Sequence, residues 1–62
     1  MMTKQEIKAT IKAAPAIFVR VTATEFYAKI SKAEAAALCK HLSWNVECDV
    51  REEGTYLESA DY

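Results

Sequence analysis

The 62-residue chain has little of what tight turns and reactive sites require, since it contains one glycine, one proline, one histidine and two cysteines. One glycine and one proline allow few special turns and no long linker. Two cysteines are too few for the disulfide framework of a secreted mini-protein. No apolar run approaches the roughly 20 residues that span a bilayer, and the first residues lack the apolar core of a secretory signal. We therefore expect a cytoplasmic protein with reduced thiols.

What the chain does have is the composition of a folded domain, with 52% hydrophobic and 27% charged residues. Its length allows a single domain, residues 1–62. A core of this size rarely supplies more than about 3–5 kcal/mol without disulfides or metal. Because self-association is a common remedy, we expect a homo-oligomer, most simply a dimer.

Charge is distributed unevenly along the chain. Residues 1–32 carry six basic side chains against two acidic ones, and residues 33–62 carry two basic against seven acidic. Such separation bears on partners and not on fold. Two interpretations remain open: the two halves pair internally, or each faces a partner of opposite charge.

The first predicted helix runs from Thr3 to Ala14. Thr3 with Glu6 three residues later forms a capping-box pattern, and Pro15 ends the helix. An apolar stripe with helical spacing is predicted to face the core; it consists of Ile7, Thr10, Ile11 and Ala14.

A second helix is predicted to begin at Ser31, where Ser31 and Glu34 repeat the capping-box pattern. The inward stripe comprises Ala35, Leu38, Cys39 and Leu42. The other side carries Ala33, Ala36, Ala37 and Lys40. Small residues there indicate either a neighbouring element or a filler of high helix propensity.

Alternating apolar and polar residues predict two strands before this helix and two after it. The first pair spans 16–22 and 25–30, joined by a turn near 23–24, with Ile17, Val19, Val21, Phe26, Ala28 and Ile30 facing inward. The second pair spans 46–51 and 56–58, joined by a turn in which Gly54 allows a positive φ, with Val46, Cys48 and Val50 facing inward and 59–62 frayed. We predict an α+β domain of order α-β-β-α-β-β, in which an antiparallel sheet carries both helices on one face.

The stretch from Phe26 to Ala35, in which a strand leads directly into a capped, alanine-rich helix, resembles the middle of short accessory proteins encoded by bacteriophages and prophages. The resemblance covers ten residues and concerns local structure. It implies a binding or regulatory role directed at a host protein, and it transfers no catalytic residue.

Residues for metal binding or catalysis are not assembled in the sequence. Cys39, His41 and Cys48 lack the paired spacing of a zinc site, and positions 39 and 41 point about 200° apart on a helix. No glycine-rich loop or nucleophile–histidine–acid set is present. We predict no metal, no cofactor and no enzymatic activity.

Lysines recur at helical spacing in the first helix, at Lys4, Lys8 and Lys12. They form a ridge that is either an ordinary solvated face or a contact for phosphate groups or for an acidic protein. With Arg20 and Lys29 they define an alternative function, a regulator that binds nucleic acid through its basic half.

The outward face of the sheet is the leading candidate site, since aromatic and arginine side chains are enriched at protein interfaces. Phe18, Arg20, Tyr27 and Trp44 are the predicted anchors, and the face also receives Lys29 and Tyr56. The acidic residues Glu47, Asp49, Glu52 and Glu53 would steer a basic partner towards it. Alternatively, Arg20 and Lys29 pair with Glu47 and Asp49, and Trp44 covers the core. The leading hypothesis is a protein-binding module that modulates a host protein, including one that handles nucleic acid.

Overall fold

The computed structural model describes residues 2–20 and 26–60. Its two helices and four strands are α1 (Lys4–Ala13), β1 (Ile17–Arg20), β2 (Tyr27–Ile30), α2 (Lys32–His41), β3 (Val46–Arg51) and β4 (Gly54–Ser59). The predicted α+β class and order of elements are confirmed. Some predictions lie outside the described residues. These concern Val21 and Thr22, the turn near 23–24, the strand start at Glu25 and the fraying of 61–62.

The sheet is mixed, so the prediction of a purely antiparallel sheet was wrong. Its strand order is β2-β1-β4-β3. Both hairpins are antiparallel, but the central strands β1 and β4 run parallel, with Val19 opposite Leu57. The reason is the connection through α2, which leads from one edge strand to the other. Since β2 and β3 run in the same direction, their hairpin partners β1 and β4 must also do so.

Both helices begin with the predicted capping boxes. In α1 the Thr3 hydroxyl accepts a hydrogen bond from the Glu6 backbone N–H, and the Glu6 carboxylate accepts one from the Thr3 N–H, each at 3.2 Å. Ser31 and Glu34 make the same reciprocal pair at 3.1 Å. The hydrogen bond from the Ser31 backbone N–H to the Glu34 carboxylate, followed by the influence of the Ser31 hydroxyl, lowers the pKa of Glu34. The caps satisfy N–H groups that have no partner within the helix.

The core lies between the two helices and one face of the sheet, as predicted. Its buried members come from both helices, the start of β1, and strands β3 and β4: Ile7, Ile11, Ala14, Ile17, Ala35, Cys39, Val46 and Leu57. Val19, Ile30, Leu42 and Cys48 are partly buried against it. Neither helix in the described ranges is long and apolar enough to cross a bilayer.

The predictions for three residues were wrong: Phe26 and Val50 were expected to face the core, and Ser59 was expected to be frayed. Phe26 is 68% exposed, because it precedes β2 and the alternation of a strand does not extend to it. Val50 is 65% exposed because it lies near the end of the edge strand β3, beside an open groove at the C-terminal end of α1. Ser59 belongs to β4, where it pairs with Val46, and the following Ala60 N–H donates to the Asn45 carbonyl at 3.2 Å.

Gly54 is required by a close approach of two strands. Its φ of 158° is positive, as predicted, but Gly54 begins β4 and does not lie in the turn where it was expected. A Cβ at this position would lie 2.5 Å from the Ala16 carbonyl oxygen and 2.9 Å from the ring of Phe18. The adjacent Thr55 N–H donates to the same Ala16 carbonyl at 2.9 Å, so the backbone cannot withdraw without losing the first bond between β1 and β4.

Candidate protein-binding face

Strand register places the predicted polar and aromatic residues on the sheet face opposite the helices, here called the outer face. Phe18 and Arg20 lie on β1, Tyr27 and Lys29 on β2, Glu47, Asp49 and Arg51 on β3, and Tyr56 and Glu58 on β4. Neither described helix covers this face, because α1 and α2 both pack on the core side. The outer face therefore brings together five of the eight residues predicted to bind a partner.

Three aromatic rings form a cluster at the centre of the outer face. Phe18 and Tyr56 stack with centroids 4.8 Å apart and ring planes 18° from parallel. Tyr27 meets Tyr56 edge-on, also at 4.8 Å, with planes at 88°. Both arrangements suit the ring quadrupoles. The Arg51 guanidinium carbon lies 4.5 Å from the centroid of Tyr56, a cation–π contact. Tyr56 is thus the hub of the cluster.

Two ion pairs surround the aromatic cluster. The Arg20 guanidinium donates to Glu58 at 2.9 Å, and the Arg51 guanidinium donates to Asp49 at 2.7 Å. The predicted pairing of Arg20 and Lys29 with Glu47 and Asp49 was wrong. Lys29 and Glu47 lie on opposite edge strands, separated by about 14 Å at the usual strand spacing, and β4 places Glu58 beside Arg20.

The acidic residues predicted to steer a partner lie at the β3 side of the outer face. Glu47 is exposed on β3, and Glu52 and Glu53 are exposed in the turn between β3 and β4. Desolvation raises the pKa of the Tyr56 hydroxyl, and the nearby Glu53 carboxylate raises it further. The turn therefore extends the outer face and adds negative charge beside the aromatic hub.

Trp44 does not belong to the outer face. It is partly buried against the core, which confirms the interpretation that it covers the core. It follows α2, and both Ser43 and Trp44 adopt positive φ, 55° and 61°. The Trp44 N–H donates to the Cys39 carbonyl at 2.6 Å, which closes the end of the helix.

The basic residues of the nucleic-acid alternative do not share one surface. Lys4 and Lys8 lie over the Trp44 ring on the helix side, at 5.6 and 5.3 Å from its centroid. Arg20 and Lys29 are on the outer face. The structure instead places Lys32 beside Lys12, whose backbone carbonyl it binds at 2.6 Å. Sequence reasoning missed this neighbour, since the two residues belong to different helices.

Cys39 and Cys48 are free thiols on the core side of the sheet. Burial raises the pKa of both thiols, and for Cys48 burial first and the neighbouring Cys39 second raise the pKa to about 11. Across residues 2–20 and 26–60, no group of three or more histidine, cysteine and acidic side chains could hold a metal ion.

Rings, guanidinium groups and carboxylates on an open sheet face can bind a partner surface. A groove of about 260 Å³ lies on the face, bordered by Tyr27, Tyr56, Glu58 and the charged residues of β3. The chain matches no family model, no curated protein and no solved structure.

Proposed function

We propose that this chain is a non-enzymatic module of the cytoplasm that binds a protein partner through its outer face. The observation that carries the proposal is the ring of Tyr56, which contacts Phe18, Tyr27 and Arg51 on a sheet face that neither described helix covers. Tyrosine and arginine are among the residues that dominate the binding energy of protein interfaces.

The cluster is organised before a partner arrives. Ring-to-ring contacts hold the three aromatic side chains, and Asp49 holds Arg51 over Tyr56. Each rotamer-rich side chain ordered on binding costs about 0.5–1.5 kcal/mol. Side chains that are already ordered avoid part of that cost. The outer face can therefore present its aromatic rings to a partner surface of matching shape.

The partner we propose is a protein with a basic surface, such as a host protein that handles nucleic acid. Arg20 and Arg51 are each paired with a carboxylate. The exposed residues Glu47, Glu52 and Glu53 add negative charge at the β3 side. Such charge accelerates the encounter with a basic partner and is screened by salt. The resemblance to phage accessory proteins implies that the target is a host protein.

The test is affinity capture from extract of the producing cells, with the wild type, Tyr27→Ala and Phe26→Ala compared side by side. Phe26 is the matched control because it is aromatic, adjacent and exposed, yet outside the cluster. We expect one protein to be retained by the wild type and by Phe26→Ala and lost from Tyr27→Ala. Equal retention by all three would reject the outer face as the binding surface.

Charge reversal tests the steering role separately. Changing Glu47 and Glu52, two exposed carboxylates outside the aromatic cluster, together to lysine should weaken binding of the captured partner and flatten its salt dependence. Unchanged binding would remove the basic partner from the proposal. The alternative is that the outer face binds a second copy of this chain. Light scattering of the protein alone tests it, because a dimer that the Tyr27→Ala substitution dissociates would show that the outer face is the dimer interface.

A further inference from the structure

A second surface lies on the opposite side of the molecule, in the groove between α1 and α2. This inter-helix groove has a volume of about 540 Å³. Its floor is apolar and consists of Ile11, Ala33, Ala36, Ala37 and Trp44. The three alanines are exposed, although a helix face open to water is usually polar. The alanine surface of α2 thus borders α1 across an open groove.

The rims of the inter-helix groove carry only basic charge. Lys8 and Lys12 line it from α1, and Lys32 and Lys40 line it from α2. None of the described residues that line it is acidic. The only glutamates of the two helices, Glu6 and Glu34, are bound to the N-terminal caps.

The two ends of the groove show that the helices are antiparallel. At one end the Lys32 ammonium group binds the Lys12 carbonyl at the C-terminal end of α1. At the other end Trp44, just after α2, lies under Lys4 and Lys8 from the start of α1. The α2 rim from Lys32 to Lys40 is about 12 Å long at 1.5 Å per residue, which is just over two helical turns.

Trp44 reaches the groove at a conformational cost. Its φ of 61° is in the left-handed region, which costs a residue other than glycine roughly 1–2 kcal/mol. For so bulky a side chain this backbone conformation is an outlier. This conformation belongs to the turn that ends α2, in which the Trp44 N–H donates to the Cys39 carbonyl, and the turn places Trp44 at this end of the groove.

We propose that the inter-helix groove binds an acidic amphipathic helix of a partner protein. An apolar stripe on that helix would pack on the alanine floor, and acidic residues on both of its flanks would face the two rows of lysines. Small residues permit the close helix approach of about 8 Å, and grooves between helices are a recurring site for amphipathic helices.

The distribution of charge and shape favours this occupant over others. A second copy would set lysine against lysine. A fatty acid has a single anionic head, whereas cations line both rims from end to end. A flat bilayer would not reach a floor recessed between lysines. The backbone of a nucleic-acid duplex offers phosphates to the lysines but no apolar surface to the floor.

The probe is a synthetic peptide of about 14 residues, or four turns, with leucines at helical spacing and glutamates on both flanks. It contains no tryptophan, so fluorescence of Trp44, the sole tryptophan of the chain, reports binding directly. The control peptide has the same composition in scrambled order and therefore lacks the apolar stripe. We expect the designed peptide to change the fluorescence with saturation and the scrambled peptide to bind about tenfold more weakly.

Two matched variants locate the site. Ala36→Glu places a carboxylate on the groove floor, and Ala9→Glu makes the same change on exposed α1 surface outside the groove. We expect Ala36→Glu to weaken binding at least about tenfold and Ala9→Glu to weaken it less than about twofold. Far-ultraviolet circular dichroism confirms that both fold. Tyr27→Ala should leave peptide binding unchanged, which separates this site from the outer face.

Several results would overturn the proposal. These are absence of binding at low salt, equal binding of the scrambled peptide, and equal effects of the two glutamate variants. A short DNA duplex titrated at the same low salt is the remaining comparison. Tighter binding of the duplex than of the peptide would assign the lysines to nucleic acid instead.

Discussion

The Arg20 guanidinium lies 2.9 Å from the carboxylate of Glu58, a residue 38 positions further along the chain. The pair spans the parallel strands β1 and β4, one step beyond the register of Val19 with Leu57. It joins the basic half of the chain to the acidic half on the outer face, so part of the charge separation in the sequence is satisfied within the fold.

The partly buried position of the Arg20–Glu58 pair predicts a measurable coupling. The two side chains are 20% and 26% exposed, against 49% and 59% for Arg51 and Asp49. In double-mutant cycles, we expect Arg20→Met with Glu58→Gln to give a coupling of about 1 kcal/mol in the free energy of unfolding. Arg51→Met with Asp49→Asn is the control and should give less than about 0.5 kcal/mol. Equal couplings would contradict the prediction.

Substitution of Gly54 should be strongly destabilising. In Gly54→Ala the new methyl group meets the Ala16 carbonyl oxygen at 2.5 Å, so β1 and β4 must separate. We expect a loss of at least about 2 kcal/mol, at the upper end of the cost of overpacking. Denaturant unfolding measures it, with Glu52→Ala in the adjacent exposed turn as a control that changes less than about 0.5 kcal/mol. A small loss of unfolding free energy in Gly54→Ala would show that β1 and β4 can move apart at little cost.

Ser43→Gly should stabilise the protein. Ser43 has a φ of 55°, which glycine adopts without steric cost. We expect a gain of about 0.5 kcal/mol, after subtraction of the larger entropy of glycine in the unfolded chain. The control is Ser31→Gly, where φ is −75° and the hydroxyl caps α2, which should lose a few tenths of a kcal/mol. Destabilisation by Ser43→Gly would mean that the serine side chain matters more than its backbone.

The thiol of Cys48 should react slowly at neutral and mildly alkaline pH. Burial and the neighbouring Cys39 raise its pKa to about 11, so its thiolate fraction at pH 8 is on the order of 100-fold below that of an ordinary cysteine. Iodoacetamide labelling, followed by mass spectrometry, should be slow in the folded protein and fast in denaturant.

The raised pKa of Cys48 also makes the free energy of unfolding depend on pH. The raised pKa means that the folded state favours the protonated thiol, so this stabilisation is complete below the ordinary cysteine pKa of about 8.5 and is lost as the pH rises towards 11. Cys48→Ala should lose less of its free energy of unfolding between about pH 9 and 11 than the wild type does. Parallel loss in both proteins would show that other groups govern this range.

Local patterns predicted most of the secondary structure. The Thr3 and Ser31 caps and the alternation in β3 depend on residues close together in sequence, and the structure has them where the patterns indicate. Alternation also predicted which residues of β1 and β2 face away from the core. It could not predict that Val50 is exposed, because that depends on how far the helix layer extends over the edge of the sheet.

Contacts distant in sequence were beyond prediction. The partner of Arg20 depends on β1 pairing with β4 in parallel, and no local pattern specifies that pairing. The inter-helix groove needs the antiparallel arrangement of α1 and α2, which brings Lys32 to Lys12. The spacing of lysines along one helix predicts a row of basic side chains, but a groove needs residues of both helices.

The parallel pairing of β1 with β4 also has a consequence for how the chain is made. Because β4 follows every other described element and stands at the centre of the sheet, β1 exposes an unpaired edge until residues 54–59 are synthesised. Until then the strand that joins the two halves of the sheet is missing. Such late, long-range closure slows folding and leaves unpaired strand edges open to aggregation in the meantime.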